Sequence, residues 1–342
     1  MQDPDSSRIT GMQKKIALAS RLVSVINFGP DVSRAVEFVV SDIKNTFGFD
    51  AVGIRLRSKE DFPYAAQEGF SPDFLAEENS LLPRGGTVAV LKDSTGNILP
   101  ECACGLALSG RTNPENPAFT PGGSILINRL KCMKPAERVS LCMDKREKCV
   151  LNFGSMALVP IRDGNKILGL LQVNDKAGNA FTQEMVSFFE DIASLLGVLI
   201  RARDEREKYK TLFETVKTAI LIGDARSGLI LDANKEAELL FGRSRGELIG
   251  LHRVSLHPAG KAEYYSREFN RQDEEEKTLN FEAIIVDGKG ANIAVHMSSS
   301  MYTADGSRKI LTAFRVQSEA GKTEEAERRE NRKKIPFFAM FR

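Results

Sequence analysis

The sequence predicts an α+β fold in two domains, each a central antiparallel β-sheet flanked by helices, with a long helix joining them. Three observations predict it. At 342 residues the chain exceeds one ordinary core and suits two domains with connecting helices. Apolar residues at helical spacing give way to alternating runs bounded by turn residues, and this pattern restarts near residue 219. Between the halves, Met185, Phe189, Ile192, Leu196 and Leu199 form a 4-3-4-3 stripe that runs on into a polar stretch, as expected of a helix leaving one domain for the next.

The elements follow in order. Residues 1–14 are polar and read as a disordered N-terminus, and the first domain spans 15–203. Ile16, Leu18, Leu22, Val23, Val25 and Ile26 predict a first helix, and a GPD break separates it from a second through Val32, Ala35, Val36, Val39, Val40 and Ile43. DAVGIRLR alternates and reads as a strand. An irregular, cysteine-bearing middle follows. SMALVPIRDGNKILGLLQVND gives two apolar runs joined by RDGN, a hairpin signal. Thr182 is placed to cap the connector helix, assigned to 184–216. The second domain, 206–317, reads as strand, turn, strand and short helix, then three alternating runs separated by DGKG and ADGS turns. The remainder, 318–342, is a charged tail ending in Phe337, Phe338, Met340 and Phe341, a frayed helix or a docking peptide.

Composition narrows the function. With 27% charged residues and a net charge of +2, nothing suggests a nucleic-acid or general membrane surface. No apolar run reaches the roughly 18 residues of a membrane span, and MQDPDSSRIT has no hydrophobic signal region, so a cytoplasmic location is expected. In a reducing compartment five cysteines are packing groups, metal ligands or redox groups before they are staples. All five fall between 102 and 149, and all three histidines lie beyond residue 250.

PECACGLALSGRTNPENPAFTPGGS, residues 100–124, therefore draws the chemistry. If ECACG is extended, Cys102 and Cys104 share a face with their Cα atoms about 6.5 Å apart, which suits two thiolates on one metal or cluster. It suits a mutual disulfide poorly, so a disulfide would join one of them to Cys132, Cys142 or Cys149. Residues 129–149 hold seven Lys or Arg against three Asp or Glu, a local +4 that favours thiolate and would attract an anionic cofactor. Four readings compete: buried thiols that only pack; a thiol–disulfide switch; a zinc, iron–sulfur or cysteine-ligated haem site; and an enzyme. Histidine cannot ligate a haem in this half, because it has none; the ligand would be Cys149 or one of Met133, Met143 and Met156. The loop from Ser109 to Ser124 is longer than an ordinary connection and reads as a pocket lid, in which Arg111 is a solvated arginine or a contact to an anionic ligand.

The second half, through AILIGDARSGLILDANKEAELLFGRSRGELIG and LHPAG, resembles a PAS domain over about residues 206–317. The first half, through DAVGIRLRSKEDF, CACG, SGRTNPENPAFTPGGS and SMALVPIRDGNKILGLLQVND, resembles a GAF domain over about 15–203, of a subtype with C-x-C-G found in sensor histidine kinases. That subtype carries a later Arg-x-Arg-Cys, matched here by KREKC with Cys149 at the cysteine position; Leu82, Ile125 and Leu126 depart from it. The resemblance implies a cofactor-binding set of Cys102, Cys104, Cys149 and Arg111, or a metal set of Cys102, Cys104, Cys142 and Cys149, for an iron–sulfur cluster, zinc or cysteine-ligated haem. On the PAS side His252 and His257 lie where some members place ligand-facing residues, Asn234 reads as a turn and cap residue, and Val316 stands where many members carry the aspartate of an output junction. No kinase, cyclase or helix-turn-helix pattern follows residue 317. The expected function is a cytosolic sensor, not an enzyme: a homodimer that registers redox state or a ligand at the cysteine cluster and signals to a histidine kinase or response regulator in trans. The alternatives are a cofactor-free dimerisation scaffold and a cysteine-dependent methionine-sulfoxide-type reductase.

Overall fold

A computed structural model describes residues 31–59, 61–81, 102–113, 115–141, 152–275 and 278–317, together with positions 13, 15–18, 20–22 and 24. The chain divides into two compact units, residues 1–206 and 207–342. Each carries one five-stranded antiparallel sheet flanked by helices, the α+β architecture the sequence predicts.

In the first unit the described residues between 13 and 24 are helical, and a helix follows at Val32–Phe47. Asp31 starts it: its carboxylate accepts from the backbone N–H groups of Ser33 and Arg34, and Gly48 ends it in the left-handed conformation. The strands are β1 (Ala51–Leu56), β2 (Tyr64–Glu68), β3 (Ile125–Ile127), β4 (Ser155–Asp163) and β5 (Lys166–Asp175), in the spatial order β2-β1-β5-β4-β3. Short helices at Pro72–Glu78, Ala103–Ser109 and Pro135–Ser140 join them, and the connector helix runs Gln183–Thr215.

The pleat sends alternate residues to opposite faces. Val52, Ile54, Ala157, Val159, Ile161, Leu171 and Val173 pack against Val36, Val40 and Ile43 of the first long helix and Phe189, Ile192 and Leu196 of the connector. The opposite face is covered by Phe70, Phe74, the Ala103–Ser109 helix and Phe153. On this second face the strands bring Gly53 and Arg55 of β1 opposite Gln172 and Leu170 of β5.

The second unit orders its strands β7-β6-β10-β9-β8, with β6 Ala219–Asp224, β7 Ile230–Ala233, β8 Leu279–Val286, β9 Asn292–Ala304 and β10 Ser307–Val316. The Lys235–Phe241 and Ala262–Glu275 helices cover one face, closing a core around Phe241, Leu248, Leu256, Tyr265, Phe269, Val295 and Phe314.

Candidate functional site

A polar row crosses the otherwise apolar second face of the first sheet. It begins at Arg55, an arginine in the middle of a strand and 1% exposed. Burying a guanidinium is costly unless its donors are used. Here Nη1 donates to the carbonyls of Phe62 (3.0 Å) and Asn79 (2.9 Å), and Nη2 donates to the carbonyl of Glu78. Nε has no partner among the described residues. The guanidinium lies 3.7 Å from the centroid of the Tyr64 ring. Burial pulls the Arg55 pKa down, but Tyr64, then Cys104 and Cys102, act the other way, and the result is a raised value.

Tyr64 reaches its place because Gly53 has no side chain. A Cβ there would sit 2.6 Å from Tyr64 Cε1 and 3.0 Å from Phe70, so only glycine lets the ring lie flat across β1. Phe70 stacks on Tyr64 with centroids 5.2 Å apart and on Phe74 at 4.7 Å, and Phe153 meets Phe70 and Phe74 edge-on. Past Gly53 the Tyr64 hydroxyl donates to Gln172 Oε1 at 2.7 Å. Gln172 Nε2 donates to Asn174 Oδ1 at 2.9 Å, and both amides are fully buried. Asn174 Nδ2 has no partner among the described residues.

The cysteines meet this row. Cys104 Sγ donates to Gln172 Oε1 at 3.5 Å, so one amide oxygen receives a phenol and a thiol. Cys102 and Cys104 are 8% and 4% exposed. CACG is not a strand: Cys102 is the extended N-cap residue of the Ala103–Ser109 helix, its sulfur accepting the Gly105 N–H at 3.3 Å. The shared face of an extended pair is therefore lost, because Cys104 already turns with the helix. Glycine at 110, left-handed, ends that helix after seven residues, each facing the interior except its last.

The remaining predicted site residues lie elsewhere. Arg111 is exposed, beyond the helix end. The Ser109–Ser124 loop is held at its far end by the connector helix, where Thr120 and Ser124 both donate to Glu190 Oε1 at 2.6 Å, and its Asn116, Pro117 and Ala118 line a cleft. Cys132 is an exposed thiol in a cleft of about 640 Å³ that also presents Arg129, Met133 and Lys134. Cys142, Met143 and Cys149 fall outside the described residues. Among the described residues no three of His, Cys, Asp and Glu are grouped to hold a metal, and no helix is long and apolar enough to cross a membrane.

In the second unit Asn234 caps the Lys235–Phe241 helix, its Oδ1 accepting from Ala237 N at 3.0 Å. His257 is buried, stacked on Tyr265 with centroids 3.7 Å apart and bonded through Nδ1 to the Ile284 carbonyl at 2.8 Å. Burial pushes its pKa down to about 4, so the ring is neutral and Nδ1–H is the donor. His252 uses Nδ1 to accept the Val254 N–H, and its ring lies where a Cβ on Gly228 would be. The cavity beside His257, lined by Arg253, Phe269, Met297 and Thr312 among others, holds about 20 Å³, room for about one water.

Sequence reasoning found the cysteines and missed the row beneath them. DAVGIRLR reads as an alternating strand, with Arg55 not singled out. The signal was parity: Gly53 and Arg55 on one strand, and Gln172 and Asn174 on its neighbour, share one face of the sheet.

No curated protein sequence matches the chain. Among solved structures, similarity is found to the PAS domain of an HTR-like protein from Haloarcula marismortui (19% identity, 34% of this chain and 95% of that one, TM-score 0.31). It is also found to a domain of a sensory box sensor histidine kinase/response regulator from Geobacter sulfurreducens (26%, 32% and 93%, TM-score 0.29). A third is a LOV protein of Rhodobacter sphaeroides (13%, 36% and 73%, TM-score 0.33). Residues 31–200 match the family described as GAF domain and residues 207–316 the family described as PAS fold. The chain is thus a GAF domain followed by a PAS domain, the composition of a sensory signalling protein.

Proposed function

We propose that this protein is a cytoplasmic redox sensor in which Cys102 and Cys104 register oxidant in the GAF domain. The connector helix carries the change to the PAS domain, and the PAS domain passes it to a separate histidine kinase or response regulator. The protein works as a homodimer. The observation that carries the reading is the pair of buried thiols packed against the polar row of the first sheet, with Cys104 Sγ donating to the same Gln172 oxygen that accepts from Tyr64. The route onward is short. Gln172 and Asn174 belong to β5, which ends at Asp175, and the connector begins at Gln183, with Glu190 about two turns further held by Thr120 and Ser124.

The test is hydrogen–deuterium exchange on the full chain, reduced and after graded hydrogen peroxide. Peroxide is expected to change exchange along the connector by severalfold in the wild type, and to leave it unchanged in a Cys102→Ser/Cys104→Ser double variant. Equal connector exchange before and after oxidation of the wild-type thiols would sink the proposal in favour of a scaffold.

A further inference from the structure

The loop that follows the cysteine helix folds back on itself and comes to rest on the connector. Thr112, two residues past Gly110, lies against the far end of the loop: a Cβ on Gly123 would sit 3.2 Å from the Thr112 methyl group and 2.8 Å from Arg162 Nη2. The turn at that end is closed by its own bonds, the Thr120 N–H donating to the Ser124 carbonyl at 2.9 Å and the Ser124 N–H to Thr120 Oγ1 at 3.0 Å. Its two hydroxyls then donate to one oxygen of Glu190, and bonds to a carboxylate are about twice as strong as neutral ones. Gly122 lies against the same carboxylate, since a Cβ there would stand 2.5 Å from Oε1. Farther along the connector is a second fixed point. Gly197, about two turns past Glu190 and so on the same side of the helix, packs on the Arg162 carbonyl of β4 so closely that a Cβ would be 2.0 Å away. Arg162 thus meets the connector with its backbone and the loop with its side chain.

The helix that carries the cysteines has no room to absorb a modification. Ala103 to Leu108 are all buried, and Cys102 with them, so an oxygen added to either sulfur overpacks the site and the helix shifts. That helix ends at Gly110, and the shift bears on the loop where Thr112 touches the Gly123 turn. We propose that the Glu190 carboxylate is the contact by which the GAF cysteines control the connector: the loop holds Glu190 while the thiols are reduced and releases it when they are oxidised, with Gly197 as the pivot. The inference rests on the redox reading above and adds the residue through which the thiol state reaches the connector. Hydrogen peroxide is the co-reactant. The sulfur takes one peroxide oxygen as the O–O bond breaks, the thiol proton leaves with the other oxygen as water, and the sulfur loses the two electrons that the peroxide gains. Glu190 is a positioning residue, acting through the loop and taking no part in the chemistry at sulfur.

The experiment follows hydrogen–deuterium exchange of the connector beyond Gly197 in the full chain, reduced and after hydrogen peroxide, with oxidation of Cys102 and Cys104 read by peptide mass spectrometry of the same samples. Two variants open the contact from opposite sides. Glu190→Ala removes the carboxylate. Gly122→Ala leaves it in place and pushes it off the turn with a methyl group, and the fold tolerates this because the carboxylate is the end of a flexible side chain. Both are expected to exchange severalfold faster than the wild type while still reduced, at the level of the oxidised wild type, with no further change on peroxide and with thiols that oxidise at the wild-type rate. Glu190→Gln, whose neutral oxygen accepts the same two bonds at about half the strength, is expected to fall between them and the wild type. Should Glu190→Ala fail to fold, Gly122→Ala decides alone. Reduced variants that exchange as slowly as the wild type and keep its full peroxide response overturn the clamp and leave the redox reading standing. A lowered thermal midpoint with that response intact does the same, because it marks a contact that only stabilises. Wild-type thiols that oxidise with no change in the connector end both.

Discussion

At the scale of the residue, two buried cation-forming side chains take opposite solutions to the same solvation cost. Arg55 stays charged because backbone carbonyls and the Tyr64 face replace its water. His257 has one carbonyl and an aromatic stack, and it stays neutral, with its pKa near 4 against 6.5 for the free side chain. That difference sets a pH dependence. Above pH 6.5 the ring is neutral in both folded and unfolded chains and does not alter stability. Between pH 6.5 and 4 the unfolded chain takes up a proton that the folded chain refuses, so stability falls as the pH falls, by about 3 kcal/mol at the lower end. Urea denaturation of the wild type at pH 7.5, 5.5 and 4.5 is expected to show this loss in the PAS transition. His257→Gln, which keeps a donor for the Ile284 carbonyl, should show a shallower one. Equal slopes for the two proteins would mean that other groups govern the acid limb.

At the scale of the element, Asn234 makes four of the bonds that hold the end of the connector, beside the Lys235 N–H donated to Glu214 Oε2. Asn234 Nδ2 donates to the carbonyls of Phe213 and Thr218, and its Oδ1 accepts from Ile220 N and Ala237 N. One amide thereby ties the last turn of the Gln183–Thr215 helix to the start of β6 and caps the helix after β7. Asn234→Ala strands these buried partners and is expected to cost about 3 kcal/mol, read as a lowered urea midpoint of the PAS transition with faster amide exchange at residues 212–218. Asn234→Asp keeps the acceptor and loses the donor, so it should recover part of the loss; a full recovery would show that the cap alone matters. Asn234 was legible from LILDAN as a cap residue, as were the Val32–Phe47 helix from its stripe and the β4–β5 hairpin from RDGN. ACGLALS was not. A seven-residue helix buried on nearly every side carries no polar face, so its periodicity vanishes, and the C-x-C alternation then mimics a strand. Arg55 was hidden for the converse reason, since a charge in an alternating strand signals solvent unless its partners, here carbonyls distant in sequence, are known.

At the scale of the whole molecule, the connector helix carries an exposed stripe that predicts how the protein assembles. Val198, Tyr209 and Leu212 are 59%, 51% and 56% exposed, and with Ala202 and Glu205 they follow a 4-3-4-3 spacing along one side of the helix. Ile16, 60% exposed, adds an apolar side chain on the first helix. We expect a stripe of this spacing, on a helix that already buries another face in its own domain, to serve as the seam of a two-stranded coiled coil completed by a second copy of the same helix. In such a pairing the flanking charges of Arg201, Arg203, Glu207 and Lys208 would set the register. Sedimentation velocity at micromolar concentrations is expected to give a dimer for the wild type. It should give a monomer for Val198→Glu/Leu212→Glu, with both domain unfolding transitions within about 0.5 kcal/mol of the parent because the side chains replaced are exposed. Redox signalling through the connector predicts one thing more. If the seam is where the oxidised GAF domain acts, peroxide will shift the dimer's dissociation constant in the wild type and not in the Cys102→Ser/Cys104→Ser double variant. A dimer that withstands both glutamates would place the interface on another surface and leave the connector as a rigid spacer.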